Sequence, residues 1–401
     1  MVSDIESRRL QGLVFALVAA AFTNIYLTQP VLPVLAEEFG VDEAGASLSI
    51  SAAILGIALA TLPFGKLVDR YPMRPIILSG GLVVGGAGLL CALTTQFGLL
   101  VTARLAQGLF LPALTTCLAA YLANRLPVAR LNVVMGAYVS ATVVGGLGGR
   151  LLGGWIHPPL HWRYAFVSAA ALVLAAALAA ARWLPGAAET PPRHGSEVGY
   201  RQLLTSWPVL RTYAVAFGAF WVFSVTFNYL PFYLSAPPFE ASTGLITLLY
   251  VVYLIGAVTG PLAGRLANRI GSGPTLALGT TVFAFALALT LIPSLVAVLA
   301  GLMLTCAGFF TTHAAAAGAL NRRLTSSRGR GNALYVLFYY AGGSVGITVS
   351  GYAYRHGGWP AVVGAGTVVL ALTLLIAVLE VRESGRPAPQ PVGDEGPAAG
   401  A

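Results

Sequence analysis

The feature that most constrains this chain is an apolar stretch, about as long as a bilayer is thick, that recurs twelve times. An α-helix rises about 1.5 Å per residue, so roughly 20 apolar residues cross the hydrocarbon layer. Such stretches lie near 11–35, 46–66, 75–96, 98–122, 131–154 and 162–184, and again near 209–234, 242–264, 274–292, 294–320, 331–354 and 360–381. A soluble domain of this size carries roughly 25% charged residues to face water. This chain has 9%, against 57% hydrophobic. The expected fold is an all-α membrane protein of twelve transmembrane helices. Cys91, Cys117 and Cys306 all fall inside apolar runs, which excludes a disulfide framework and metal-ligand spacing, so no metal and no cofactor are expected.

The connections divide the stretches into two sets of six. Most are short, but 185–208 is polar and contains Pro185, Glu189, Pro191, Pro192, Arg193, His194 and Glu197. It reads as a cytoplasmic linker between a six-helix bundle at 1–184 and another at 209–383, with an interfacial helix near Tyr200 to Trp207. Residues 384–401 are rich in Pro, Gly and Ala and read as a disordered tail. No small-residue cleavage site closes the first apolar run, which continues through Tyr26, Gln29, Pro30 and Pro33, so it reads as a retained first helix.

Charge placement gives orientation. With both termini placed in the cytoplasm, 19 of the 23 Lys and Arg residues fall in cytoplasmic segments. Only Arg163 and Arg355 fall outside, and Arg104 and Arg150 lie within helices. The positive-inside rule predicts this asymmetry for an even number of spans. A nucleic-acid binder would have no reason to put its arginines in every second loop, so the net charge of +9 is topogenic. The halves also echo one another. Gly264-Arg265-Leu266-Ala267-Asn268-Arg269 follows Gly65-Lys66-Leu67-Val68-Asp69-Arg70 by 199 residues. Gly308-Phe309-Phe310 follows Gly108-Leu109-Phe110 by 200, as Asn332 follows Asn132. Parallel repeats of this kind place a substrate near the bilayer midplane, between the halves.

The pattern Gly65-x-x-x-Asp69-Arg70-x-x-x-Arg74 resembles the loop between helices 2 and 3 that marks the major facilitator superfamily, with Pro72 and Met73 departing from its usual form. That resemblance implies two pseudo-symmetric six-helix bundles working by alternating access. It also implies a gate at Gly65, Asp69, Arg70 and Arg74, where the glycine permits close helix approach and the charges form a latch. Arg104-Leu105-Ala106-Gln107-Gly108 resembles the Arg-x-x-Gln-Gly motif of proton-driven members. An arginine at membrane depth needs a partner or a wet cavity, so Arg104 and Gln107 read as a coupling or substrate site, against an arginine snorkelled to the interface. The run Gly145-Gly146-Leu147-Gly148-Gly149 reads as helix packing. Arg150, which follows it, reads either as a gate or substrate contact or as structural.

His313 sits in a small-residue stretch, where it could carry a proton, read a substrate or tie helices together. Asn24, Tyr26 and Gln29 in helix 1, Asn228 and Tyr229 in helix 7, and Tyr335, Tyr339 and Tyr340 in helix 11 are candidate substrate contacts, with helix-to-helix hydrogen bonding as the rival reading. All fourteen acids fall in loops, tails or helix ends. Without a mid-span carboxylate, electrostatics favours neutral or anionic cargo over permanent cations.

Segments along the whole chain, including Tyr26 to Leu35, Gly146 to Arg150, Trp162-Arg163, Phe227-Asn228-Tyr229 and Gly308 to His313, are similar to the YnfM-like branch, grouped with arabinose-efflux and acriflavine-sensitivity permeases. The resemblance implies a proton-linked efflux antiporter of the bacterial inner membrane. The alternative is an uptake or facilitative carrier for a neutral or anionic metabolite. No nucleophile–base set, paired acids or metal cluster suggests an enzyme. The expected partners are the lipid bilayer, a small-molecule substrate and protons, with no nucleic acid, and the chain is expected to act as a monomer.

Overall fold

The computed structural model describes residues 4–67, 70–126, 128–184, 199–324 and 328–384, and these are helices joined by short turns. Backbone in hydrocarbon must satisfy its own hydrogen bonds, and an α-helix does so within one segment. The elements are α1 (Asp4–Thr23), α2 (Leu32–Phe39), α3 (Glu43–Leu67), α4 (Met73–Leu93), α5 (Phe97–Leu114), α6 (Thr116–Arg125), α7 (Val128–Ile156), α8 (Arg163–Trp183), α9 (Tyr200–Thr205), α10 (Trp207–Ser235), α11 (Thr243–Leu249), α12 (Leu254–Ile270), α13 (Ser272–Leu289), α14 (Leu295–Arg323) and α15 (Arg328–Ser384). Large apolar side chains stay open on the outside of the assembly; Leu82 is 63% exposed and Leu93 79%. Such a surface suits lipid and not water.

Three of the expected spans are not single rods, and two more are joined into one bent helix. Span 1 is α1 and α2 with an irregular segment at 24–28 and a 3-10 turn at Gln29–Val31 between them. Proline explains the break: Pro30 has no N–H to donate, and its ring would clash with the carbonyl one turn earlier. Span 4 is α5 and α6, interrupted at Thr115 three residues after Pro112. Span 8 is α11 and α12 joined by a 3-10 turn at Tyr250–Tyr253. Spans 11 and 12 are the two arms of α15, bent at Gly358, whose φ of 58° and ψ of −151° belong to a region only glycine enters freely. The short helix expected beside the linker is α9. Residues 185–198 and the tail from 385 lie outside the described residues.

Helices pack first within each set of six. In the N-terminal set α1 lies on α7 and α8, α3 on α5, and α4 on α5 and α8. In the C-terminal set α10 lies on α14 and α15, α13 on α14 and α15, and α12 on α14. The seam between sets is formed by α3 against α15, α7 against α11, and α2 with the turn before it against α10. Helix ends near 67–73, 125–128, 205–207, 270–272 and 323–328 share one end of the assembly, the arginine-rich end, and those near 39–43, 93–97, 156–163, 235–243, 289–295 and 358 share the other.

Candidate functional site

The break in the first span frees backbone carbonyls at membrane depth, and Arg104 takes them up. Its Nη1 donates to the Asn24 carbonyl at 2.5 Å and to Gln107 Oε1 at 2.7 Å. Its Nη2 donates to the Ile25 carbonyl, and Nε donates to the Ser49 carbonyl of α3 at 2.6 Å. Gln107 Nε2 in turn donates to the Val84 carbonyl at 2.9 Å and, at 3.4 Å, to Asn24 Oδ1. Asn24 Nδ2 donates to the Ala20 carbonyl at 2.8 Å. Arg104, Gln107 and Asn24 are all 0% exposed. Together they form a clamp that holds the broken strand of span 1 against α3, α4 and α5. The structure thus satisfies Arg104 with carbonyls, neither snorkelled nor facing open space.

Arg150 has a different setting. Three glycines, Gly145, Gly149 and Gly153, recur every four residues along α7, and a Cβ on them would stand 2.3, 2.2 and 1.9 Å from the carbonyl oxygens of Ala19, Thr23 and Leu27. Only a bare backbone lets α7 lie this close to span 1. The contact brings Arg150, one residue past that face and about 9 Å of helix from Ile156, to the seam. Its Nε donates to Gln29 Oε1 at 2.7 Å, Nη1 to the Gly146 carbonyl at 2.7 Å, and Nη2 to the Tyr253 hydroxyl at 2.8 Å. The rings of Tyr26 and Tyr253 lie 3.9 and 4.1 Å from the guanidinium carbon. Ring faces are negative, so this packing offsets part of the cost of a buried cation.

A cavity of about 100 Å³ opens beside this group, lined from both helix sets. Gln29, Tyr26 and Arg150 line it on one side, and Phe220, Phe223, Ser224, Tyr253, Phe309 and Tyr339 on the other. Phe223 stacks on Phe309 with ring centroids 3.8 Å apart, and Phe220 on Tyr339 at 3.7 Å. Among the described residues Arg150 is the one charged group in its wall. A smaller cavity, about 10 Å³, lies within the C-terminal set beside Arg211 and Glu380. It is part of an ion-paired cluster, with Arg211 Nε 3.6 Å from Glu380 Oε1 and Arg323 bonded to the same carboxylate.

Towards the arginine-poor end the seam is tied by polar links. Asn228 Nδ2 donates to Ser47 Oγ at 2.7 Å, Ser344 Oγ to the Ser51 carbonyl at 3.0 Å, and Arg355 pairs with Asp42 at 3.0 Å. Beside them Glu38 accepts from Trp162 and Arg163. Partial burial raises the pKa of Glu38, but those two hydrogen bonds and the charges of Arg163 and His161 outweigh it and hold the carboxyl below its ordinary 4.5.

Of the residues singled out from sequence, Tyr26, Gln29, Arg150 and Tyr339 meet at the cavity. The others fall elsewhere. Tyr335 donates to the His313 carbonyl at 3.3 Å and its hydroxyl lies 3.0 Å from His313 Nδ1, while the imidazole stacks on Phe309 at 5.8 Å, behind the cavity wall. Tyr340 packs edge-on to Phe220 and Tyr339. Tyr229 donates to the Ile347 carbonyl at 2.8 Å. At the arginine-rich end Arg74 donates to the Leu184 carbonyl at 3.2 Å, which caps α8. Arg70 is exposed, and Asp69 lies outside the described residues. The close approach expected at Gly65 is absent: a Cβ there would meet nothing within 4 Å, although Phe64 beside it packs on Phe110. Sequence reasoning missed Phe220, Phe223, Ser224, Tyr253, Phe309 and Phe310 as cavity residues. Their signal was an aromatic stripe at helical spacing, which ordinary core packing produces as well.

Known proteins resemble the chain throughout. The sequence model of the Major Facilitator Superfamily matches residues 14–255 and 234–400. The inner membrane transport protein YnfM of Escherichia coli is 31% identical over 366 residues, covering 90% of this chain and 86% of that one. A chloramphenicol resistance protein of Pseudomonas aeruginosa is 28% identical, covering 92% and 91%. Among solved structures, a bacterial homolog of the human lysosomal transporter Spinster, in an inward-facing, unoccupied conformation, superposes with a TM-score of 0.75 at 16% identity, covering 96% of this chain and all of that one.

Proposed function

Because this chain belongs to the major facilitator superfamily of membrane transport proteins, we propose that it exports small organic molecules across a bacterial inner membrane by alternating access, in exchange for protons. The observation that carries this reading is the cavity walled by both helix sets, with polar links across the seam on its arginine-poor side. A site between two halves, tied on one side, is what a carrier that rocks about its substrate needs. The halves are residues 1–184 and 209–383, joined by a linker at 185–208. The arginine-rich end is assigned to the cytoplasm, with both termini, by the positive-inside rule. The cavity then faces inward, and the cytoplasmic gate is assigned to Gly65, Asp69, Arg70 and Arg74. The inner-membrane name of the Escherichia coli relative and the resistance named for the Pseudomonas relative support the location and the outward direction. His313 with Tyr335, behind the cavity wall, is assigned the proton step, since the wall contains no acid among the described residues.

The test starts from a thermal-shift screen of metabolites and drugs on the purified protein, followed by flux of the hits in proteoliposomes under an imposed pH gradient. Gradient-dependent accumulation that collapses with a protonophore and is lost in His313→Ala is the expected outcome. Flux that only equilibrates, with or without the gradient, would instead make this a facilitative carrier.

A further inference from the structure

Arg150 has more donors than the protein supplies acceptors. A guanidinium has five N–H groups. Gln29, Gly146 and Tyr253 accept three of them, which leaves one on each terminal nitrogen without an acceptor among the described residues. Ser224 lines the same cavity from α10, is 4% exposed, and its Oγ has no hydrogen-bond partner among the described residues. Unmet buried donors are costly, so two such groups lining one cavity point to something that belongs between them. Among the described residues the cavity wall has one cation and no acid, so a cation would be repelled. A neutral guest would leave the guanidinium balanced only by dipoles and ring faces.

The geometry points to an organic anion. Arg150 and Ser224 form the binding site for the carboxylate of a flat aromatic acid, whose rings lie against the stacked pairs Phe223–Phe309 and Phe220–Tyr339. A carboxylate offers acceptors only, in a plane that matches the guanidinium fork. A serine hydroxyl completes its coordination, and Tyr26 and Tyr253 hold the fork flat and ready. Arg104 cannot serve this way, because four of its five N–H groups are taken by the clamp. This assignment rests on the reading of the cavity as the transport site, and it narrows that reading to one class of cargo.

A ring-matched trio tests it: 2-naphthoate, 2-naphthamide and 2-naphthylmethylamine, titrated by calorimetry into the full-length protein in nanodiscs. The naphthoate is expected to bind at least about tenfold tighter than the amide, since a charge-assisted bond is worth roughly 1.5–3 kcal/mol, and the amine weakest. Arg150→Gln should reduce the acid-to-amide ratio to about one, Arg150→Lys should keep part of it, and Ser224→Ala should weaken the acid severalfold while sparing the amide. Should Arg150→Gln fold poorly, Arg150→Lys and Ser224→Ala still carry the comparison. Equal affinity for all three, tightest binding of the amine, no binding of any, or a ratio unmoved by these variants would overturn the assignment. Flux in proteoliposomes separates the two readings. Naphthoate binding without its flux refutes the cavity as the transport site for such acids and leaves the anion site standing, whereas flux of other hits without charge preference does the reverse.

Discussion

At Arg104, four guanidinium N–H groups donate to three backbone carbonyls and one amide in the membrane interior. Deleting them orphans the carbonyls of Asn24 and Ile25, each at roughly 1–3 kcal/mol, while the Ser49 carbonyl keeps its place inside helix α3. Arg104→Ala is therefore expected to destabilise the protein by about 2–6 kcal/mol, read as a large drop in melting temperature in detergent. Arg104→Lys should recover only part, since one ammonium cannot reach four acceptors on three helices. If Arg104→Ala instead kept its melting temperature but lost the pH dependence of flux, the residue would act in coupling and not as a clamp. Sequence alone could not separate Arg104 from Arg150. Both lie in apolar, small-residue runs, and what distinguishes them is the destination of each side chain: one reaches a broken helix whose break shows only as Pro30, the other an aromatic seam assembled from helices more than a hundred residues away.

At the scale of elements, span 1 and α7 form a pair of unusually close backbones. A side chain at Gly149 would place its Cβ 2.2 Å from the Thr23 carbonyl, and at Gly153 1.9 Å from that of Leu27. Neither neighbour is a flexible side-chain tip that can yield. Gly149→Val and Gly153→Val should each force the helices apart, with lost folding yield and flux. Gly136→Ala on the same helix, where a Cβ would meet nothing within 4 Å, should be silent. A fluorescence-detected size-exclusion profile with a flux assay checks both. Helix identity and the bounds of the spans were readable from hydropathy, because lipid imposes one length and one composition on every rod. The interruptions at 24–31, Thr115 and Tyr250–Tyr253 were not, since each depends on partners elsewhere in the fold that take up the freed backbone groups.

For the whole molecule, the links between helix sets at the arginine-poor end can be made permanent. With Asn228 Nδ2 2.7 Å from Ser47 Oγ, the double variant Ser47→Cys, Asn228→Cys brings two thiols face to face. Oxidation should block flux and reduction restore it if the protein rocks as proposed, whereas unchanged flux in the fully oxidised protein would sink alternating access across this seam. The pseudo-symmetry of the chain was legible in the repeated loops, but the cavity was not, because its walls come from both repeats and neither half contains it alone. The chemistry of the ties also has an energetic consequence. They are a few hydroxyl and amide bonds, each worth roughly 0.5–1.5 kcal/mol net, plus one exposed ion pair worth less than about 1 kcal/mol. Their sum is smaller than the roughly 8 kcal/mol released when a ligand binds at micromolar affinity. A guest of ordinary affinity can therefore tip this conformational balance, provided that a share of its binding energy larger than those ties is realised in only one of the two states.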